Sequence, residues 1–168
     1  PVDVARELEM LQDSVPPAPF SKIRTLVENE LGPIDEVFRF FQEEPLASAS
    51  IAQVHLAVLS DGTEVAVKVQ RPNIASEIRS DLHILYSLAH LVGKRIQLPG
   101  FYTPVGIVQQ FDAAINRELD FLQEARAAKR FRRAFAANDD VCVPRVHDEW
   151  TGRGAVCARG GKERGKDE

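Results

Sequence analysis

The stretch "IAQVHLAVLSDGTEVAVKVQRP", residues 51–72, decides the fold of this chain. Residues 51–59 are rich in strand-forming side chains, and the pair Asp61-Gly62 that follows is a strong signal for a hairpin turn. In "VAVKVQ", three valines alternate with the residues of the opposite face, and Lys68 belongs to that opposite face. The segment therefore predicts an antiparallel hairpin whose second strand carries one lysine among small side chains.

Helical periodicity surrounds this hairpin on both sides. Apolar residues recur at helical spacing over residues 2–12, 21–31, 75–95 and 105 to about 137, the last with a break near "NRELD". We predict an α+β fold with a helical N-terminal extension, a small antiparallel lobe that contains an inserted helix, and a glycine-rich and charged tail that is poorly ordered. The boundaries of these three parts are residues 1–44, 45–150 and 151–168.

The composition narrows the class of protein. A chain of 168 residues is one domain or one lobe of a larger one, and its net charge of −4 argues against a nucleic-acid partner. No apolar run reaches the roughly 20 residues that span a bilayer. Cys142 and Cys157 are isolated, which fits a reducing compartment and gives no metal-binding cluster. We expect a cytoplasmic protein, with peripheral membrane contact left open.

Lys68 is the first candidate for chemistry. A lysine on a strand can bind the phosphates of a nucleotide, but it can also be a surface residue with its ammonium group in solvent. The loop before the hairpin stands where a phosphate-covering glycine loop would be, yet its residues are Ala47, Ser48, Ala49 and Ser50. Alanine restricts the backbone more than glycine does, whereas the serine hydroxyls can donate hydrogen bonds to phosphate oxygens.

The last helical region carries carboxylates and then a basic cluster. Asp120 and Glu124 are four positions apart and would share a helix face, whereas Glu118 would point elsewhere. The carboxylates can take part in metal binding or acid–base chemistry, or they can form a solvated acidic face. The basic cluster can complement the helix dipole or contact an anionic lipid or partner surface; it comprises Arg126, Lys129, Arg130, Arg132 and Arg133.

Four segments together resemble the AarF/UbiB family of atypical kinase-like proteins, which support ubiquinone synthesis. They are "ELEMLQDSVPP", "PLASASIAQVHLA", "VAVKVQRP" and "ELDFLQEARAAKRF", and they occur in this order over roughly residues 6–135. The resemblance implies the N-terminal lobe of a protein-kinase-like fold, with the inserted helix between Lys68 and the helix that carries its partner.

The resemblance also implies roles for individual residues. Ala47, Ser48, Ala49 and Ser50 would form the family's alanine-rich loop over the nucleotide, and Val54 and Ala66 would line the same site. Lys68 would bind the α- and β-phosphates of ATP or ADP, and Glu124 would hold Lys68 in place. Glu118 and Asp120 match the family's E-x-D pair, which faces the N-terminal extension.

Other family motifs are missing from this sequence. It contains neither the K-x-G-Q motif of the extension nor the catalytic-loop and D-F-G motifs of the second lobe, which would supply the Mg²⁺ ligands. We therefore expect a catalytically incomplete nucleotide-binding lobe. Two alternatives remain open: a regulatory scaffold that holds an anionic membrane surface or proteins of quinone biosynthesis, and a truncated fragment without a function of its own.

Overall fold

The computed structural model describes residues 15–95, 103–138 and 140–159. The helix predicted over residues 2–12 lies outside these ranges. The helices are α1 (Phe20–Leu31), α2 (Ile34–Val37), α3 (Ile74–Gly93), α4 (Pro104–Glu118) and α5 (Phe121–Ala134). The strands are β1 (Phe38–Phe41), β2 (Ala47–Ser48), β3 (Ala52–Leu59), β4 (Glu64–Gln70), β5 (Arg145–Thr151) and β6 (Ala155–Arg159).

All strand pairs in the sheet are antiparallel. The order is β1-β3-β4-β6-β5, and β2 pairs with the beginning of β3. The predicted hairpin is the centre of this sheet. Its turn places Gly62 at a φ of 86°, a left-handed conformation that glycine adopts without steric cost. The predicted α+β class with a small antiparallel sheet is confirmed.

One face of the sheet carries the larger core. The valines at positions 65, 67 and 69 are at most 2% exposed, and they pack with Ile23 and Val27 of α1. Strand β1 lies within the predicted extension of residues 1–44, yet it pairs with β3. The described part of that extension therefore shares its core and its sheet with the lobe of residues 45–150.

The prediction that residues 151–168 are poorly ordered is wrong for residues 155–159. These residues form β6, which lies between β4 and β5, and Ala155 and Cys157 are fully buried. Two of the five glycines in residues 151–168 belong to the β5–β6 turn, where the amide of Gly152 donates to the carbonyl of Ala155 at 2.7 Å and the amide of Gly154 donates to Glu30 Oε2 at 3.2 Å. Residues 160–168 lie outside the described ranges.

The inserted helix and the predicted break are both present. Helix α3 packs against α4, and the hydroxyl of Tyr86 donates to Asp112 Oδ2 at 2.9 Å across the pair. The break falls between α4 and α5, at Leu119 and Asp120. Among the described helices, none is long and apolar enough to cross a membrane.

Candidate functional site

The register of the sheet aligns the loop before the hairpin with Lys68. Ala47 pairs with Val54, Val54 with Lys68, and Lys68 with Val156, so four strands contribute to one cross-strand row. Neighbouring strands are about 4.8 Å apart, which places the backbone of Ala47 roughly 10 Å from that of Lys68. The sheet thus places the start of the alanine-rich loop and the lysine on the same face, two strands apart.

Lys68 is held by two neighbours on α5. Its Nζ donates to Glu124 Oε2 at 2.6 Å, and the same nitrogen lies 4.7 Å from the centroid of the Phe121 ring. Phe121 is fully buried and packs with Ala52, Ala125 and Val156, so it fixes the first turn of α5 against the sheet. The pair predicted from the resemblance is thus brought together, whereas Phe121 beneath the ammonium group was missed.

A polar cavity of about 670 Å³ opens beside this pair. Four cationic side chains line it, against the two carboxylates of Glu118 and Glu124. The cations are Lys68, Arg117, Arg126 and Arg130. A cavity with this excess of positive charge favours an anionic ligand, because attraction between opposite charges is strengthened where protein replaces water.

The two carboxylates of the E-x-D motif have different positions. Glu118 ends α4 and lines the cavity, whereas Asp120 caps α5: its Oδ1 accepts from the amide of Leu122 at 3.1 Å, and its Oδ2 accepts from Gln123 Nε2 at 3.3 Å. The expectation that Asp120 and Glu124 share a helix face is wrong, because the predicted break near "NRELD" falls at Asp120, whose backbone angles at the N-cap are non-helical. A serine or aspartate at this position satisfies orphan amide groups of the first helical turn.

The loop of residues 47–50 is held at its base by Arg71. Arg71 Nε donates to the carbonyl of Ala49 at 2.7 Å, and one of its terminal nitrogens donates to Ser48 Oγ at 2.7 Å. Ser50 is exposed next to these contacts. Arg71 follows the lysine strand directly, in "VKVQR", but its contacts are tertiary, and the sequence pattern contained no signal for them.

Gln70 is a second residue that the sequence left unnoticed. Its Nε2 donates to the carbonyl of Leu119 and, at 3.3 Å, to that of Arg153, while its backbone amide donates to the carbonyl of Gly154 at 2.8 Å. One side chain therefore joins the lysine strand, the α4–α5 break and the β5–β6 turn. This contact sets the position from which α5 presents Glu124.

The nucleotide-facing candidates Val54 and Ala66 lie on the same sheet face as Lys68. Both are half-buried, and Ala66 pairs with Leu56 on one side and Ala158 on the other. The side chains that flank Lys68 on this face are therefore apolar, whereas Glu64 and Gln70 at the two ends of β4 are polar. The two cysteines stand apart from it: burial raises the pKa of Cys157 to about 12, and Cys142 is exposed.

The basic cluster follows the cavity along α5. Arg126 and Arg130 line the cavity of Lys68, whereas Lys129, Arg132 and Arg133 line a second cavity of about 640 Å³ between α5 and β5. Lys129 forms an ion pair with Asp148 of β5. The cluster is therefore divided between two surfaces rather than forming one uniform patch.

Comparison with known proteins agrees with this geometry. Residues 10–157 match the ABC1 atypical kinase-like domain. The chain is 44% identical over 151 residues to the "Probable protein kinase UbiB" of Pseudomonas paraeruginosa and 41% identical over 152 residues to that of Marinobacter nauticus. These alignments cover 89% and 90% of this chain but 28% of each relative, so the chain spans just over a quarter of their length.

A solved structure shows the same fold. The Mycobacterium tuberculosis protein Rv3197, solved in complex with erythromycin, superimposes with a TM-score of 0.72 at 34% sequence identity. The match covers 88% of this chain and 37% of that one. Since the family's domain extends over most of the chain, and its relatives share two-fifths of the aligned residues, this protein belongs to the ABC1 atypical kinase-like family.

Proposed function

We propose that this chain is the nucleotide-binding lobe of an atypical kinase-like protein that supports ubiquinone biosynthesis. The observation that carries the proposal is the Lys68–Glu124 pair, closed at 2.6 Å and aligned by the sheet register with the alanine-rich loop. A kinase-like site needs these three parts together: a loop over the phosphates, a lysine for them and a helix glutamate that orients the lysine.

The phosphates would lie between Lys68 and the loop. The Lys68 ammonium group has three donors, and Glu124 occupies one of them, which leaves two for phosphate oxygens. Arg117, Arg126 and Arg130 add positive charge on the α5 side of the same cavity. The adenine ring of ATP or ADP would pack on the apolar face next to Val54 and Ala66.

The described residues do not fit a complete magnesium site. No group of three histidine, cysteine, aspartate or glutamate side chains within these ranges lies close enough to hold a metal ion. Glu118 and Glu124 are the carboxylates of the cavity, and Glu124 is engaged by Lys68. In the proposal, Mg²⁺ reaches this lobe bound to the nucleotide, and its protein ligands belong to the further length that the relatives possess.

Replacing the lysine tests the proposal. Lys68→Ala removes the phosphate-binding cation, so the affinity for a fluorescent ATP analogue, measured by titration, should fall at least tenfold, about 1.4 kcal/mol. Lys22→Ala, at an exposed position of α1, is the matched control and should leave the affinity unchanged. Affinity that survives Lys68→Ala within about twofold, roughly 0.4 kcal/mol, would contradict the role of Lys68.

One observation favours a second function, contact with an anionic lipid surface. On α5 and just beyond it, the rings of Phe131 and Phe135 stack at 6.2 Å, and Phe131 is 59% exposed next to the basic cluster. Exposed aromatic and basic side chains on one helix are typical of interfacial helices.

Liposome co-sedimentation separates this function from the first. Charge reversal at Arg126, Arg130 and Arg133 together should abolish binding to vesicles that contain anionic lipid, and Lys68→Ala should not change it. Absence of wild-type binding to these vesicles at low salt would rule the lipid surface out.

A further inference from the structure

Arg71 joins two segments that are far apart in the sequence. Its guanidinium group donates to the Ala49 carbonyl and to Ser48 Oγ in the loop. The same terminal nitrogen donates to the carbonyl of Pro16 at 2.8 Å and to that of Val15 at 3.3 Å, in the segment that precedes α1. The backbone amide of Arg71 donates to the carbonyl of Ile51 at 2.9 Å, which fixes the side chain at the base of the loop.

The chemistry of these contacts determines how Ser48 is oriented. A guanidinium group can only donate hydrogen bonds, so the Ser48 oxygen must act as acceptor towards Arg71. The hydroxyl proton of Ser48 is then directed away from Arg71 and remains available for another acceptor. Bonds with a charged donor are also stronger than those between neutral groups, so Arg71 is a firm anchor for a loop of small residues.

The segment before α1 is anchored at a second point close by. The amide of Ala18 donates to Gln53 Oε1 at 2.6 Å, and Gln53 is buried in β3, where it pairs with Ser48 of β2. Residues 15–18 and 48–49 are thus linked through Arg71 on one side and through Gln53 on the other. If one segment moves, either the other segment moves with it or the shared hydrogen bonds break.

We propose that Arg71 is a positioning residue of the nucleotide site: it ties the loop of residues 47–50 to the segment of residues 15–18 and leaves the Ser48 hydroxyl proton free for a phosphate oxygen. The effect on nucleotide binding rests on the proposed function. The link between the two segments through Arg71 is independent of the proposed function, and it can be measured without any ligand.

Hydrogen exchange on the purified 168-residue chain tests the link. In Arg71→Gln, the amide of Ala18, which is bonded to Gln53, and the amides of residues 47–52 should both exchange roughly tenfold faster, because the charged donor common to both segments is lost. Residues 16, 17 and 19 are prolines without an amide proton, so Ala18 reports on the segment before α1. Arg71→Lys, which keeps a charged donor but lacks the planar fork, should restore part of the protection. Arg79→Gln, at an exposed position of α3, is the matched control and should leave both segments unchanged.

The pattern of exchange decides the outcome. Faster exchange at Ala18 and in the loop, with the amides of Val65 and Val67 in the buried central strand β4 unaffected, supports the proposal. Faster exchange in the loop alone would overturn the link to residues 15–18, and no change in either segment would overturn the role of Arg71 altogether. General loss of protection in the variant would show itself at the amides of Val65 and Val67 in the buried central strand, and the Arg71→Lys variant would then decide between the same outcomes.

A second measurement separates this inference from the proposed function. Arg71→Gln should weaken the binding of an ATP analogue at least fivefold, and adenosine, which lacks phosphates, much less. If the wild-type chain binds no nucleotide, the proposed function fails while the exchange experiment still decides the link. If both segments loosen but ATP affinity stays within about twofold, Arg71 does not position the loop for phosphates, and that part of the proposal is overturned.

Discussion

Lys68 is held in place by two weak attractions of different kinds. Its ion pair with Glu124 is partly exposed, with 31% and 52% of the two side chains accessible, and pairs of this kind contribute about 0.2–1 kcal/mol. The ring of Phe121 adds a cation–π attraction of similar size. Together they orient the ammonium group rather than stabilise the fold, which suits a side chain that must exchange partners when a ligand arrives.

His55 should make the stability of the fold depend on pH. It is fully buried against Phe20 and Phe41, and its Nδ1 donates to the carbonyl of Gln42 at 2.9 Å. Burial lowers the pKa of His55 below its ordinary value of 6.5. Since the unfolded chain then binds a proton before the folded chain does, the free energy of unfolding should fall as the pH drops below about 6.5.

Urea unfolding at several pH values measures this effect. The wild-type midpoint should decrease between about pH 7.5 and 5.5, and His55→Gln should show a smaller decrease. Burial also lowers the pKa of His147, so His147→Gln is the companion variant and should likewise show a smaller decrease than the wild type. An equal decrease in the wild type and in His55→Gln would contradict the assignment.

At the scale of single residues, the sequence allowed us to predict those residues that stand out in a strand pattern or match a family motif. Lys68 stood out because it interrupts a run of small side chains, and Glu124 because the resemblance pairs the two. Arg71, Gln70 and Phe121 could not be found in this way, since their partners are backbone carbonyls and a ring that only the folded chain brings near them.

The short break between α4 and α5 is the element that aims Glu124 at the sheet. Leu119 ends one helix, and Asp120 begins the next by capping its first turn. The amide of Phe121 donates to the carbonyl of Arg153 at 3.3 Å, so the start of α5 is bonded to the β5–β6 turn. The direction of α5 is therefore fixed at its first residues, before the helix reaches Glu124.

Removing the cap should loosen this start. Asp120→Ala deprives the amide of Leu122 of its acceptor and should lower the free energy of unfolding by about 1 kcal/mol. Asp120→Asn keeps an acceptor oxygen and should cost much less. Asp81→Ala, at an exposed position of α3, is the control and should change the stability by less than about 0.5 kcal/mol in the same urea titration. Equal stabilities for the wild type and the alanine variant would show that the cap contributes nothing.

Strand β6 shows why the composition of residues 151–168 led to a wrong prediction of disorder. Residues 151–168 contain many glycines and charges, and this average hid the apolar run Ala155–Cys157. Gly152 and Gly154 serve a turn that contacts Glu30 of α1, where an added β-carbon at Gly152 would collide with the Glu30 carboxylate. The α4–α5 break was easier to predict, because a short-range pattern of polar residues around an aspartate marks it directly.

At the scale of the whole molecule, the two faces of the sheet differ: one packs on the larger hydrophobic core, and the other carries the candidate site. The face towards α1 is closed by the large core. Among the described residues, the face with Lys68 packs against Phe121 and Ala125 of α5 and opens into the charged cavity beside them. The overall class could be predicted because the hairpin and the helices have strong local patterns. The order of the strands could not, because it depends on the pairing of β4 with β6 far along the chain.

A shortened chain tests how much the whole fold depends on that pairing. A version that ends at residue 151 lacks β6 and leaves one edge of the lysine strand unpaired, so it should lose cooperative thermal unfolding. A version that ends at residue 159 keeps every described strand and should retain the transition. A cooperative transition in the shorter version would show that β6 is dispensable.

The position of β6 has a consequence for synthesis on the ribosome. The strand that carries Lys68 leaves the ribosome early, but its neighbour on one side is the last described element to emerge. During translation of the residues between them, β4 presents a free edge of backbone amides and carbonyls, which is the kind of edge that recruits other nascent strands. The interval between the synthesis of β4 and that of β6 is therefore the period in which this edge is open to pairing with other strands.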